Sequence, residues 1–356
     1  MNTTPNYPDS NITAAVILKS FHSVPVYVLA LSIISCCLSL AGVICIFVSY
    51  YAIVSIRNYI RKLLLFLTLA NLIDVLGIII GIVRYMLLEY TDEKYKHEKQ
   101  TCIFQSMITS FAPCSSFFWT VFIAIYFQVQ VLKPSWADKM SSKASSVVYH
   151  VLSWGIPGVI CVLALYYNVF GDTEEIYTGP WCWIKTSQSR KHALVWMLLT
   201  VKGWELLSYL ILAEVLVFVV FKKYILPRCL RRHRRPYTEL FDQGINISTR
   251  LRREDKNFVY VWLIFYVLRF GGTFRFLMHA IHGPLIDHFM VRTARVMMVW
   301  QAFGDTAQAF GNFIFLCVCD KTIRQHYLCR TATDRNIGHV TEDENINEAA
   351  TSSLQT

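Results

Sequence analysis

Cys102–Val131 reads CIFQSMITSFAPCSSFFWTVFIAIYFQVQV, with no Asp, Glu, Lys or Arg in the whole stretch. As a helix rising about 1.5 Å per residue it reaches roughly 45 Å, longer than the roughly 30 Å hydrocarbon core of a bilayer. Apolar residues fall on every side of that helix, so no face is left for water. The stretch therefore predicts a membrane-spanning helix at the centre of a bundle. Cys102 stands at its lead end, and Phe117-Phe118-Trp119 follows two serines in its middle.

The rest of the chain has the same character. Of its 356 residues 54% are hydrophobic and only 16% charged, where soluble domains average about 25% charged. The formal charge of +10 would point to nucleic acid only if the basic residues shared a soluble domain, and they are spread over separate loops. Seven apolar segments can be drawn, at 26–53, 63–88, 102–131, 146–169, 193–221, 257–281 and 293–318, each beyond the roughly 18 residues that mark a spanning helix. The expected class is an all-α integral membrane bundle of seven transmembrane helices over 26–319. An N-terminal arm of residues 1–25 precedes it, a short amphipathic helix at 320–330 follows, and residues 331–356 form a tail. Residues 1–25 have no basic n-region, so the first apolar segment is expected to do the targeting.

Lysine and arginine counts orient the bundle. Loops 54–62, 132–145, 222–256 and 319–356 hold 3, 3, 11 and 4, or 21 together, whereas 1–25, 89–101, 170–192 and 282–292 hold 1, 3, 3 and 1, or 8. The first set is expected in the cytoplasm, with the N-terminus outside. Glycosylation acceptors at Asn2 and Asn11 agree with that orientation. A third such tripeptide, at Asn246, falls in a cytoplasmic loop and is expected to be silent. The same topology sorts the eleven cysteines: Cys102 and Cys182 alone lie on the oxidising side, where they are expected to form a bridge rather than stay free thiols.

Ionisable residues inside spanning helices cost about 2.5–3.5 kcal/mol each on insertion scales. Asp74, Lys202, Glu205, Arg269 and Asp305 sit at similar depth, so mutual pairing is expected, and Glu214 needs a partner too. The pairs read either as a structural layer or as a switch that re-pairs on activation, with direct ligand contact a third possibility. Arg84, Arg275 and Arg295 lie nearer the outer face with Glu89 the nearby acid. They read either as a vestibule for an anionic ligand or as side chains snorkelling to the interface. Trp181 and Trp183 flank Cys182 and are expected to shape a lid over the bundle mouth. Gly271-Gly272 offers either a bend or close helix packing.

Seven spans with that bridge is the plan of G-protein-coupled receptors, but the rhodopsin-type signatures are missing. The third segment ends Tyr126-Phe127-Gln128 without an acidic-Arg-Tyr triplet, and the seventh ends Gly311-Asn312-Phe313-Ile314-Phe315 without Asn-Pro-x-x-Tyr. Ser115-Ser116-Phe117-Phe118-Trp119, Ser153-Trp154-Gly155-Ile156-Pro157 and Trp181-Cys182-Trp183 resemble the secretin-type and cyclic-AMP-receptor branch. Arg61–Leu67, Gly179–Ile184, Val195–Thr200 with Lys202 and Glu205, and Leu268-Arg269 with Arg275-Phe276 resemble the orphan G-protein-coupled receptor 157 group. One departure is Asn71, where that group has an acid, with Asp74 one turn on, so Asn71, Asp74, Arg269 and Asp305 are the switch candidates. Another is the absence of a cysteine-rich ectodomain, which removes the peptide-hormone mode of binding.

The resemblance implies a plasma-membrane receptor that passes an extracellular ligand's signal to a heterotrimeric G protein by rearranging the fifth and sixth helices. It implies no catalysis, metal or cofactor. The basic loop 222–256 is expected to meet anionic inner-leaflet lipids and the G protein. Cys329 is a palmitoylation candidate. The Ser/Thr residues of the acidic tail offer arrestin a phosphorylated surface, if the tail is more than a disordered solvated end. The rival class is a multi-pass transporter or channel using the charged layer, for which no inverted repeat is visible.

Overall fold

The computed structural model describes residues 25–90, 98–132, 134–171, 181–185, 189–221, 259–282 and 288–327. Asn2, Asn11, the basic loop 222–256, Cys329 and the tail lie outside the described residues. α1 (Val26–Ala52), α2 (Tyr59–Tyr90) and α3 (Glu98–Leu132) are followed by a short helix, Pro134–Met140. α4 joins Lys143–His150 to Ile156–Tyr166 through a π turn at Val151–Gly155. α5 joins Arg190–Met197 to Gly203–Val220 through a π turn at Leu198–Lys202. α6 is Val259–His282, α7 is His288–Gly304, and α8 runs from Gln308–Phe313 into a π turn at Ile314–Val318.

Among the described residues five helices are long and apolar enough to cross a membrane: α1, α4, and the stretches Tyr59–Leu87, Gln100–Gln130 and Val261–Ile281 of α2, α3 and α6. α3 is the axis. It packs against α2, α4 and α5 and against the β1–β2 pair, where β1 (Phe170–Gly171) runs antiparallel to β2 (Trp183–Ile184). Its SSFFW motif fills the middle of the core. Phe117 and Trp119 are buried, Phe66 stacks on Trp119 at 5.0 Å, and His150 and Trp154 meet the same indole edge-on. Lipid tails are as apolar as these rings, so contact density and polar bonds, rather than escape from water, select the packing.

The π turns have local causes. Pro157 has no N–H to give, and its ring crowds the carbonyl four residues back, so the ladder widens over Val151–Gly155. In α5 the Gly203 N–H reaches back five residues to the Leu198 carbonyl. A β-carbon on Gly203 would come within 2.6 Å of that oxygen, so the turn needs the glycine.

The expected single helix over 293–318 is instead broken at 305–307, between α7 and α8. α1 reaches the carbonyls beside the interruption, although that of Phe303 also keeps its ladder donor, the Ala307 N–H, at 3.1 Å. Ser35 Oγ donates to the Phe303 carbonyl at 2.7 Å, Ser39 Oγ to that of Thr306 at 2.5 Å, and Thr306 Oγ1 to Ser35 Oγ at 2.7 Å. Ser32, Ser35, Ser39, Gly42, Ile46 and Ser49 form one buried stripe of α1, a small-residue face of the kind that lets membrane helices approach closely. Gly271 behaves similarly: α6 runs unbroken through it, and a β-carbon there would lie 2.9 Å from the Gln301 nitrogen and the Met297 carbonyl. Close packing rather than a bend is its role.

Candidate functional site

Cys102 and Cys182 are joined, with Cα atoms 5.5 Å apart, and both are buried. The bridge ties the start of α3 to the chain just before β2. The Gln105 side-chain oxygen accepts from the Cys182 N–H at 2.7 Å, one turn further along α3. Trp181 and Trp183 are thereby fixed over the interior of the bundle.

Beneath them lies a cavity with about 90 Å³ open to water, room for several molecules. Apolar lining comes from Ile78, Pro113, Trp181, Trp183, Met197, Val201 and Phe276; polar lining comes from Asp74, Thr109, Lys202, Arg269, Arg275, His279, Gln301 and Asp305. Helices α2, α3, α5, α6 and α7 and the β2 segment all reach it.

Two ion-pair groups form the cavity floor. In the first, Lys202 Nζ lies 2.7 Å from Glu205 Oε2, both side chains buried. The other oxygen of Glu205 accepts from Thr273 at 2.5 Å and Tyr209 at 3.1 Å, which couples α5 to α6. Tyr266 extends the coupling by donating to the Tyr209 carbonyl. In the second, Arg269 lies 3.3 Å from Asp74 and 4.0 Å from Asp305, which spans α2, α6 and the α7 break. The Arg269 guanidinium also sits 5.4 Å from the centre of the Phe117 ring, a cation–π contact that joins the charge layer to the SSFFW motif. Gln301 relays outward: it donates to Asp305 at 2.9 Å and accepts from Arg275 at 2.5 Å.

The sequence-derived candidates thus separate. Asp74, Lys202, Arg269, Arg275, Asp305, Trp181 and Trp183 converge on one cavity. Glu205 stands one contact behind Lys202. Asn71 accepts from Ser116 at 2.9 Å, so it ties α2 to α3 without lining the cavity. Arg84 is half-buried and Arg295 exposed, and neither lines the cavity. Glu214, exposed on α5, accepts from Gln128 at 2.9 Å.

Several residues escaped sequence reasoning. Thr273, Tyr209 and Gln301 have neutral side chains, so a search for intramembrane charge passes over them, although they connect the charged ones. A buried ion pair between Arg61 and Asp320 closes the opposite end of the bundle. Its signal was a charged residue just before one apolar run (63–88) and another just after a second (293–318), which a span count treats only as boundaries. Among the described residues no group of three or more His, Cys, Asp or Glu is placed to hold a metal.

The comparisons with known proteins agree with this geometry. A family model described as 7 transmembrane receptor (Secretin family) matches residues 24–233, more than half of the chain. The G-protein coupled receptor 157 of Homo sapiens is 30% identical over 298 residues, covering 83% of this chain and 81% of the relative. That of Mus musculus is 30% identical over 303 residues, covering 83% of both. This chain is therefore a multi-pass membrane protein, and it belongs to the secretin family of seven-transmembrane receptors, beside the G-protein coupled receptor 157 proteins.

Proposed function

We propose that the chain is a plasma-membrane G-protein-coupled receptor. In this reading the disulfide end faces outward, and a small ligand enters the cavity under Trp181 and Trp183. The signal leaves through a rearrangement of α5 against α6 that a heterotrimeric G protein reads from the cytoplasm. The observation that carries the reading is the position of Glu205. It lies directly behind a cavity-lining cation, Lys202, and it holds Thr273 of α6. A ligand group that draws Lys202 toward the cavity weakens its hold on Glu205, and with it the α5–α6 clamp. Because a ligand shifts an equilibrium only by its differential contacts with two states, a contact that is made or broken at Lys202 supplies the required difference.

The test is second-messenger output in cells expressing the chain, with surface display measured in parallel. Inositol phosphate or cyclic AMP is expected to depart from mock-transfected levels. Cys182→Ala, which unties the Trp181–Trp183 lid, is expected to shift that output. Silence in both channels, and in guanine-nucleotide exchange on a panel of Gα subunits, at normal surface display overturns the reading.

A further inference from the structure

The π turn of α5 lies between two places where that helix is fixed to α6. On its N-terminal side the Arg190 guanidinium donates to the carbonyls of His279 and Ala280, at 2.7 and 3.0 Å. On its C-terminal side Glu205 accepts from Thr273, and Tyr266 donates to the Tyr209 carbonyl. A π turn holds one residue more than an α turn, and such turns are frequent at functional sites. Closing it to ordinary α bonding turns one half of α5 against the other by about 100°, one residue's share of a 3.6-residue turn. The two anchors on α6 cannot both survive that rotation. The state of the turn and the α5–α6 contacts are therefore linked.

Particular groups hold the turn in its π form. With the Gly203 N–H committed to the Leu198 carbonyl, the Leu199 carbonyl loses the donor an α-helix would give it. The Trp204 indole N–H takes that place at 2.8 Å. The same indole rests against Phe118 of the SSFFW motif, ring centres 5.1 Å apart, which ties the turn to α3. Gly203 contributes by having no β-carbon to strike the Leu198 oxygen. Met197, Val201 and Lys202, which precede, occupy and end the turn, all line the cavity. Closing the turn therefore reshapes the cavity wall, and a ligand there has different contacts in the two states.

We propose that this π turn is the moving part of the response and that the Trp204 indole is its latch; the inference rests on the receptor reading above. In the response the Gly203 N–H passes from the Leu198 to the Leu199 carbonyl and displaces the indole. Main-chain donors are handed along by one carbonyl, and the indole bond is what is given up. Arg190–Met197 then turns against Gly203–Val220, which pulls either Arg190 or Glu205 from its partner on α6.

The test uses the full chain in lipid nanodiscs, with ligand-free guanine-nucleotide exchange on a panel of Gα subunits as the first readout. Trp204→Phe keeps a ring and loses the N–H, and Gly203→Ala crowds the Leu198 oxygen. Each variant is expected to raise exchange about fivefold, the equivalent of one hydrogen bond. Leu207→Ala, at an exposed position of the same helix, is expected to leave it unchanged. Amide hydrogen exchange is the second readout and needs neither ligand nor G protein. It is expected to quicken about fivefold over residues 198–204 in both variants and to stay as it is over 206–218. A rise spread over all of α5 marks a folding failure in that variant, and the other variant then decides. Unaltered hydrogen exchange at the turn, or a quickened turn with unaltered or lowered nucleotide exchange, overturns the proposal. A wild-type chain that drives no nucleotide exchange overturns the receptor reading and this inference with it. Wild-type exchange that neither variant raises overturns this inference alone.

Discussion

Near the disulfide, the buried ions Asp74, Lys202, Glu205, Arg269 and Asp305 are arranged around open space, and neutral groups such as Gln301 and Thr273 connect them. At the far end, Arg61 and Asp320 form a buried ion pair, with Arg61 beside Ile56, Leu64, Leu316 and Ile323. Both regions bury charge in a membrane protein, yet the geometry differs in kind. The upper ions are shared, several partners to a group, so one contact can be exchanged for another at modest cost. The lower pair is anchored to the main chain, because Asp320 also accepts from the Thr322 and Ile323 N–H groups. That makes it the cap of the helical residues 321–327. Shared charges around open space suit a site that must respond, and a pair anchored to a helix end suits a joint that must hold.

The largest effect is expected where sharing is densest. Glu205→Ala strands buried Lys202 and removes the acceptor of Thr273 and Tyr209, and breaking a buried pair from one side typically costs about 3–5 kcal/mol. Glu205→Gln keeps a side-chain oxygen for the two hydroxyls and should lose clearly less. Thermal unfolding of the purified chain measures both. If Ala and Gln are equally harmful, the hydroxyl contacts contribute nothing and the comparison loses its upper half.

A double-mutant cycle tests the lower half. Arg61→Ala is expected to cost about 3 kcal/mol by taking the guanidinium away from buried Asp320. Asp320→Ala should cost about 1 kcal/mol more, because the helix cap goes with it. The double variant should cost well under the sum. Agreement with the sum to within about 0.5 kcal/mol would mean the two residues are energetically independent, and the joint would be no joint.

How much of this was legible follows from what each signal depends on. The apolar runs, the Cys102–Cys182 bridge and the depth of the intramembrane charges all follow from one-dimensional counting, because a bilayer imposes a length and a redox boundary. Which charges would meet required helix rotation and tilt, and those are set by packing. Arg84 and Arg295 therefore looked equivalent to Arg275, yet Arg275 alone of the three faces the cavity. The break at 305–307 left no mark either. No proline lies near it, and the serines that bond to its carbonyls stand on α1, more than 260 positions away in sequence.

That break allows the finest test of the contrast, since the neutral bonds of α1 reach it beside the Arg269–Asp305 contact. Ser39 donates to the Thr306 carbonyl across the α1 interface, whereas Ser32, on the same stripe, donates to the Val28 carbonyl of its own helix at 3.0 Å. Interhelical bonds in membrane proteins average about 0.6 kcal/mol, so Ser39→Ala is expected to lower stability by roughly 0.5–1 kcal/mol. Ser32→Ala should lower it by less, because the Val28 oxygen keeps its ladder donor when the serine goes. The two unfolding midpoints, measured side by side, make the comparison independent of the size change, since both variants lose the same hydroxyl. Equal midpoints would show that the Thr306 carbonyl is satisfied without α1. The α7–α8 junction would then owe its shape to the Arg269–Asp305 contact above it, and the division between responsive and fixed regions would shift one turn down the bundle.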